Sequence, residues 1–309
     1  MRKFFPYVVV ELKGGIGNLL FQYIAGLKIS KSLNARLVFT EKAIRNNIND
    51  KTNKRVDLLM NYLNKKLDGA SNFELLLGAN TNNISNNFFV YIFKVFKKLN
   101  FYLGKDNLGG FYQPMAGSIS PIVSEPYKKV SSFFSIYLEG YYQHPSYYLN
   151  HLDEVLDALT LSLFPKIQEK NLLEQTCIQI RRGDYVTSGF ALSKKYYIES
   201  LKKIDPDKKY PVMIMSDEIF AVEAIENYCK KNGYKINYNE IQNDPFVDFK
   251  LIARSKNIIM SNSTFCWWAT SLGDKIFGSE NKKVIYPKYW IKGMPWYLKN
   301  EKWIEINNY

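Results

Sequence analysis

Two adjacent arginines, Arg181 and Arg182, stand where the apolar run Cys177 to Ile180 stops, and Gly183 and Asp184 follow them. Guanidinium is planar, permanently charged and suited to a bidentate grip on phosphate. Two of them at the mouth of a buried strand are costly unless an anion meets them. The segment therefore reads as a clamp for a diphosphate. An Arg–Asp ion pair that only holds a loop fits the same residues.

Three further clusters could act on the same kind of ligand. Gly14, Gly15 and Gly17 lie between a strand-like run and a helical one, followed by Asn18 and Gln22. Glycines there let a backbone approach a ligand closely, and the helix start favours a negative group. The pattern partly matches a dinucleotide fingerprint, with Leu20 at the third glycine and Glu41 near the acidic ribose ligand's place. A glycine turn that merely connects strand to helix is the alternative. Ser261, Asn262, Ser263 and Thr264 lead from a strand into a helix, where they could cap it or help it hold phosphate. Ser216 and Asp217 end another strand. A carboxylate there would hold ribose hydroxyls or cap the next helix.

Elements that alternate along the chain must position these residues. Tyr7 to Leu12 reads as a buried strand, a helical repeat begins near Leu19, and Arg36 to Phe39 reads as a second strand. From Glu41 to Ser132 the pattern weakens into asparagine-marked loops. The exception is Phe89 to Leu103, an amphipathic stretch with Lys94, Lys97 and Lys98 on one face. Such a face packs on the protein's own core or touches an anionic membrane surface. Ile136 to Tyr142 is strand-like, and residues 145–170 are helical and then loop-like.

The second half predicts strands Cys177–Ile180, Val212–Met215, Lys235–Tyr238, Asn257–Met260 and Val284–Tyr286. Helices Lys194–Ile204, Ile219–Lys230, Pro245–Arg254 and Thr264–Leu272 alternate with them. Alternation at this spacing implies a doubly wound parallel sheet, whose ligands sit at the carboxyl ends of its strands. The expected class is α/β, with domains 1–160, carrying the glycine loop, and 161–309, whose last residues could pack back on the first.

Composition narrows the function. The 309 residues are 46% hydrophobic and 23% charged, as in a soluble globular protein. A net charge of +13 asks for an acidic partner: nucleic acid, a membrane face or a phosphorylated substrate. No nucleic-acid reader motif is present, and no nucleic-acid partner is expected. Cys177 and Cys266 read as small core residues, and two histidines make a histidine-rich metal site a poor fit, so no metal is expected. No apolar run approaches the roughly 20 residues that span a bilayer. A cytoplasmic location is expected, with the inner face of the cell membrane as the one peripheral contact.

Together these segments resemble the α-1,2-fucosyltransferases of glycosyltransferase family 11. Gly14 to Tyr23 stands for that family's GGLGNQxFQY-type loop, and Gly140-Tyr141-Tyr142-Gln143 for its GYFQ-like segment. Gln179 to Tyr185 stands for HxRRGDY, and Met215 to Glu218 for the strand-SDD element. Asn262 to Ala269 stands for NSSFSWWAA, and Pro287 to Trp290 for PKxW.

The resemblance implies a GT-B-like fold, two Rossmann-like domains facing a cleft. It also implies a GDP-fucose donor and inverting transfer without cofactor or metal to a galactose-containing glycan, usually at the 2-hydroxyl. It places Arg181, Arg182 and Asp184 at the chemistry. Gly14, Gly15, Gly17, Asn18, Gln22, Gln179, Ser216, Asp217, Asn262, Ser263 and Thr264 fall on the donor. Glu139, Tyr142 and His144 fall on the acceptor side. Asp184 is the first candidate for a general base, with His144 and Glu139 behind it.

Gln179 departs from the family's histidine. Glutamine hydrogen-bonds but does not take up a proton near neutral pH. A transferase using another GDP-6-deoxyhexose, or a catalytically silent sugar-nucleotide-binding protein, would carry the same clamp.

Overall fold

The computed structural model describes residues 7–40, 51–64, 111–112, 135–138, 140–166, 171–238 and 244–309. The amphipathic stretch Phe89 to Leu103, Glu41 and Glu139 lie outside them. The chain divides into two compact units, Met1–Ala158 and Leu159–Tyr309.

The first unit runs β1 (Tyr7–Glu11), α1 (Ile16–Ser32), β2 (Arg36–Thr40), α2 (Lys51–Tyr62), β3 (Phe111–Tyr112), β4 (Ser135–Leu138) and α3 (Pro145–Tyr148). The division between units falls inside α4 (Leu152–Leu163). The strands form one parallel sheet in the order β2-β1-β4-β3. Val8, Val9 and Val10 of β1 are wholly buried, as a central parallel strand demands. Helix α1 lies close on this sheet because Gly26 has no side chain. A Cβ there would come within 2.5 Å of Val10 and 2.9 Å of Leu37.

The second unit runs β5 (Leu173–Ile180), α5 (Gly183–Thr187), α6 (Lys194–Ile204), β6 (Val212–Ser216), α7 (Ile219–Lys231), β7 (Ile236–Asn237), α8 (Pro245–Arg254), β8 (Ser255–Ile259), α9 (Thr264–Phe277) and β9 (Lys283–Pro287). A short antiparallel pair, β10 (Tyr289–Ile291) and β11 (Met294–Pro295), precedes β12 (Ile304–Ile306). Six strands make one parallel sheet in the order β12-β9-β8-β5-β6-β7. The chain starts at the centre with β5, builds outward through β6 and β7, then returns to build the other half from β8. This is the doubly wound α/β order. Its topological switch point lies between β5 and β8, where ligands of such sheets bind at the carboxyl ends. Two units, each an α/β layer on a parallel sheet, are the parts of a GT-B-like fold.

Alternation along β5 divides its residues between the two faces of the sheet. Ile178 and Ile180 join the apolar core formed with Tyr196, Tyr197 and Leu201 of α6 and Ile225 of α7. Cys177 turns the other way and is buried, as is Cys266 of α9. Polar groups inside this sheet are matched: the Gln175 amide donates to Ser255 Oγ (3.0 Å) and accepts from Asn237 (2.9 Å). Lys282 is also buried, and its ammonium donates to the carbonyl of Ala253 at 2.7 Å. Gly273 makes room for that bond, since a Cβ there would sit 2.0 Å from the Lys282 nitrogen. Near the chain end, Asn308 accepts from the Tyr289 N–H and donates back to its carbonyl.

Candidate active site

The arginine pair sits where the topology calls for a ligand. Strand β5 ends at Ile180, and Arg181 and Arg182 follow at the switch point. The Arg181 guanidinium donates to Asp217 Oδ2 at 2.6 Å and to Asp184 Oδ1 at 2.5 Å, and lies 5.3 Å from the Tyr185 ring. Asp217, just past β6, uses its second oxygen to accept from the Arg182 backbone N–H at 2.7 Å. Both of its oxygens are thus engaged in fixing the loop. Gly183 is required beside it: its φ is +29°, and a Cβ would approach Asp217 Oδ2 to 3.0 Å.

The two guanidiniums diverge, as neighbouring residues leaving a strand do. Arg182 donates through Nε to Glu218 at 2.9 Å. With Lys194 it borders a small, largely apolar pocket lined by Ile180, Leu192, Tyr197 and Ile225. Burial pushes the Tyr197 phenol well up, so it stays neutral there. Three carboxylates, from Asp184, Asp217 and Glu218, hold two arginines. Asp184 is the most exposed of them, at 68%. An incoming diphosphate would compete with it for Arg181.

Across the switch point, β8 leads through Ser261 and Asn262 into α9. Ser261 donates to the Gln179 side-chain oxygen. Gln179 therefore sits against the start of α9, with Arg181 two residues on. Asn262 is wholly buried and its amide donates to the carbonyls of Phe190 (2.8 Å) and Trp290 (2.7 Å). It ties the loop after α5 and strand β10 to the head of α9. Ser263 is the N-cap of α9, its own side chain makes no capping hydrogen bond, and no acidic residue lies in the first turn. The helix dipole there favours a negative group. Ser216 turns inward instead, its hydroxyl accepting from the Glu218 N–H at 3.1 Å.

The glycine loop lies at the corresponding place in the first unit, between the ends of β1 and β4. Gly14 has φ +91°, and a Cβ there would press on Asn18 (3.0 Å) and Tyr141 (3.4 Å). Gly15 is the N-cap of α1 and contributes no side chain to it, while a Cβ on Gly15 would meet no atom within 4 Å. Gly17 is buried in the first turn. Gln22 is wholly buried: its oxygen accepts from Lys13 N–H (3.0 Å), and its amide donates to the carbonyls of Lys13 and Gly140 (both 3.1 Å). It joins the two strand ends. Asn18 accepts from the Gln143 amide at 3.1 Å.

Tyr142 is wholly buried, with a positive φ of 52° and its ring edge-on to Tyr147. That backbone is strained for a tyrosine. His144 caps α3, its Nδ1 accepting from the Ser146 N–H at 3.2 Å. Burial lowers its pKa, so the ring is neutral at pH 7.

Glu218 and Tyr185 contribute to the arginine loop, and Gly26 to the seating of α1, without having been among the candidate residues. Ser216-Asp217-Glu218 offered two acids for two arginines, which was the available signal for Glu218. Among the described residues no group of three or more His, Cys, Asp or Glu side chains could hold a metal ion.

The model of the family described as "Glycosyl transferase family 11" matches residues 7–276. The chain belongs to that family. An O-antigen biosynthesis glycosyltransferase, WbnK, of Escherichia coli is 27% identical over 91% of this chain and 94% of its own length. An alpha-1,2-colitosyltransferase of Escherichia coli is 25% identical over 97% and 98%. The solved structure of POFUT1 in complex with GDP-fucose aligns with a TM-score of 0.45 at 12% identity, covering 91% of this chain and 97% of that one.

Proposed function

We propose that this family member is an inverting transferase that moves L-fucose from GDP-β-L-fucose to a glycan hydroxyl, the 2-hydroxyl of a galactose in the first instance. The observation that carries the reading is the Arg181 guanidinium at the switch point, across from the start of α9. Breaking the sugar–phosphate bond builds negative charge on the leaving diphosphate while the sugar becomes oxocarbenium-like. Fixed donors aimed at that charge stabilise the transition state most. Arg181 supplies a two-pronged cation, and the start of α9 supplies its helix dipole. This set needs neither a metal nor a cofactor.

Asp217 and Asn262 are positioning residues in this scheme. Asp217 anchors both Arg181 and the turn behind it. Asp184 holds Arg181 until a diphosphate takes over. Activation of the acceptor hydroxyl falls to a group other than Gln179, which has no proton affinity near pH 7. A strongly cationic sugar carbon lowers the demand for a base.

The donor is the finer point, because one relative is named a colitosyltransferase. Calorimetry with GDP, GDP-fucose, other GDP-deoxysugars and UDP- and dTDP-sugars, with and without chelator, tests it. Tight binding confined to GDP compounds and indifferent to chelator supports the reading. Binding confined to UDP- or dTDP-sugars, or lost with chelator, overturns it. Structure determination of the product of GDP-fucose and a galactoside then fixes the linkage.

A further inference from the structure

The second unit carries a lysine surface at the end remote from the arginine pair. In a parallel sheet with helical crossovers, the helices run back against their strands. The carboxyl ends of α6 and α7 therefore emerge at the amino ends of the strands. Lys202 and Lys203 end α6, and Lys230 and Lys231 end α7. Lys208 and Lys209 sit in the loop from α6 to β6. All six are exposed.

These positions converge in space. The Lys208 ammonium lies 5.6 Å from the ring of Tyr234, which belongs to the loop after α7. The two loops also meet through Val212 N–H and the carbonyl of Lys235, 2.8 Å apart. Opposing charge is partial: Glu199 pairs with Lys202 and Glu226 with Lys230, while exposed Asp207 in the same loop as Lys208 and Lys209, and Glu174 at the start of β5, offset part of those two. Asp205 is buried and spends both oxygens on the backbone N–H groups of Lys209 and Tyr210. One or two basic residues per helix end suffice to complement a helix dipole. Lys208, Lys209 and exposed Lys235 lie outside the helices and answer no such need.

We propose that this surface seats the protein on an anionic lipid bilayer. The residue types favour lipid over other acidic partners. The cations of α6, α7 and their loops are all lysine, a compact charge that suits diffuse attraction to headgroups, while Arg254 at the end of α8 is engaged with the Asn171 carbonyl. Arginine, with its fork, is the residue that specific phosphate and nucleic-acid grips select. Lysine is also depleted from protein–protein interfaces, whose centres are apolar. Tyr238, 66% exposed beside Lys230, adds the amphipathic ring that membrane–water interfaces favour. In this seating the carboxyl ends of the sheet face away from the bilayer, where a soluble nucleotide sugar arrives. None of its lysines belongs to the stretch Phe89 to Leu103.

Flotation of the full-length protein with vesicles tests it. One set is phosphatidylcholine alone, the other phosphatidylcholine with phosphatidylglycerol, each at low and high salt. Expected is binding to the mixed vesicles only, weakening as salt rises. Replacing Lys202, Lys203, Lys230 and Lys231 with glutamine should lower the partition coefficient about fivefold per lysine. The equal charge change at Lys195, Lys288, Lys292 and Lys299 should lower it far less. If the first variant melts early, Lys208→Gln with Lys209→Gln makes the same test on the loop. Equal losses from both sets, or indifference to vesicle charge, overturn the proposal. So does preferential retention of the protein on immobilised DNA over mixed vesicles.

Discussion

The strand ends of the two units answer the same topological demand in opposite ways. At β1 and β4 the loops are joined by neutral, buried contacts: Gln22 to Lys13 and Gly140, and Asn18 to Gln143. At the end of β5, beside the switch point, the contacts that matter are charged and open to water: Arg181 to Asp184 and Asp217, and Arg182 to Glu218, with both Asp217 and Glu218 just past β6. Parallel winding makes a crevice at both places. The side chains decide whether the crevice becomes a rigid floor or a place where partners can be exchanged. A buried amide with matched partners is expensive to disturb. An ion pair in water is worth little, so a diphosphate can displace one side of it.

The contrast is tested first where the largest effect is expected. Arg181→Ala should lower kcat/KM at least a hundredfold, the scale for losing one charge-stabilising donor, while the melting temperature stays near wild type. Arg181→Lys should recover little, lacking the bidentate fork. Near-normal turnover in a folded Arg181→Ala protein would break the contrast outright.

In the first unit the effect should fall on stability. Gln22→Leu strips partners from one buried N–H and two carbonyls and should cost about 2–4 kcal/mol, read by denaturant unfolding. GDP affinity measured on the folded fraction should be unchanged. A selective loss of GDP binding would instead put the glycine loop on the donor.

A smaller effect sharpens the role of Asp184. Asp184→Asn should tighten GDP binding a few-fold by calorimetry, because the nucleotide no longer competes with a carboxylate for Arg181. A hundredfold fall in kcat with unchanged GDP affinity would make Asp184 the base instead. The smallest effect belongs to Gln179→His. Turnover should stay within a few-fold, since imidazole can accept the Ser261 hydroxyl hydrogen as the amide does. A new ionisation in its pH–rate profile would reveal a histidine relay that this chain lacks.

The sequence was legible where punctuation was strong. Helix α6 runs Lys194–Ile204 and α8 runs Pro245–Arg254, as predicted, because Ser193 and Asp244 cap them and Pro245 starts the second. Helix α9 runs five residues past its predicted end at Leu272. Gly273 looks like a terminator, yet it is a close-approach residue inside the helix. Strand β5 begins four residues before Cys177, at Leu173, where buried Gln175 and Thr176 interrupt the apolar run.

The hairpin β10–β11, the edge strand β12 and helix α2 went unread. The strands hold only two or three residues each, and in and just past α2 the helical spacing of Val56, Leu59, Met60 and Leu63, all buried, was masked by the surrounding asparagines. At the site, both readings of Arg-Arg-Gly-Asp were open, and the ion pair of the second is present. The Gln22 stitch left no trace, because its partners are backbone atoms, one of them 118 positions away.

Lys282 sets how the second unit responds to protons. Burial pulls its pKa down to about 8 from an ordinary value of 10.5, against the pull of Asp274. Between those values the unfolded chain holds the proton more firmly than the native one, so raising the pH favours the native state. Asp274 works in reverse: burial raises its pKa, and the native form loses ground as acid is neutralised. These two groups cost most near neutrality, where both are charged. Above about pH 9 the buried thiols of Cys177, Cys229 and Cys266, pushed up by burial, oppose the gain from Lys282. One lysine tucked beneath Gly273 thus gives the unit a narrow alkaline window, from about pH 8 to 9, in which losing a proton strengthens it.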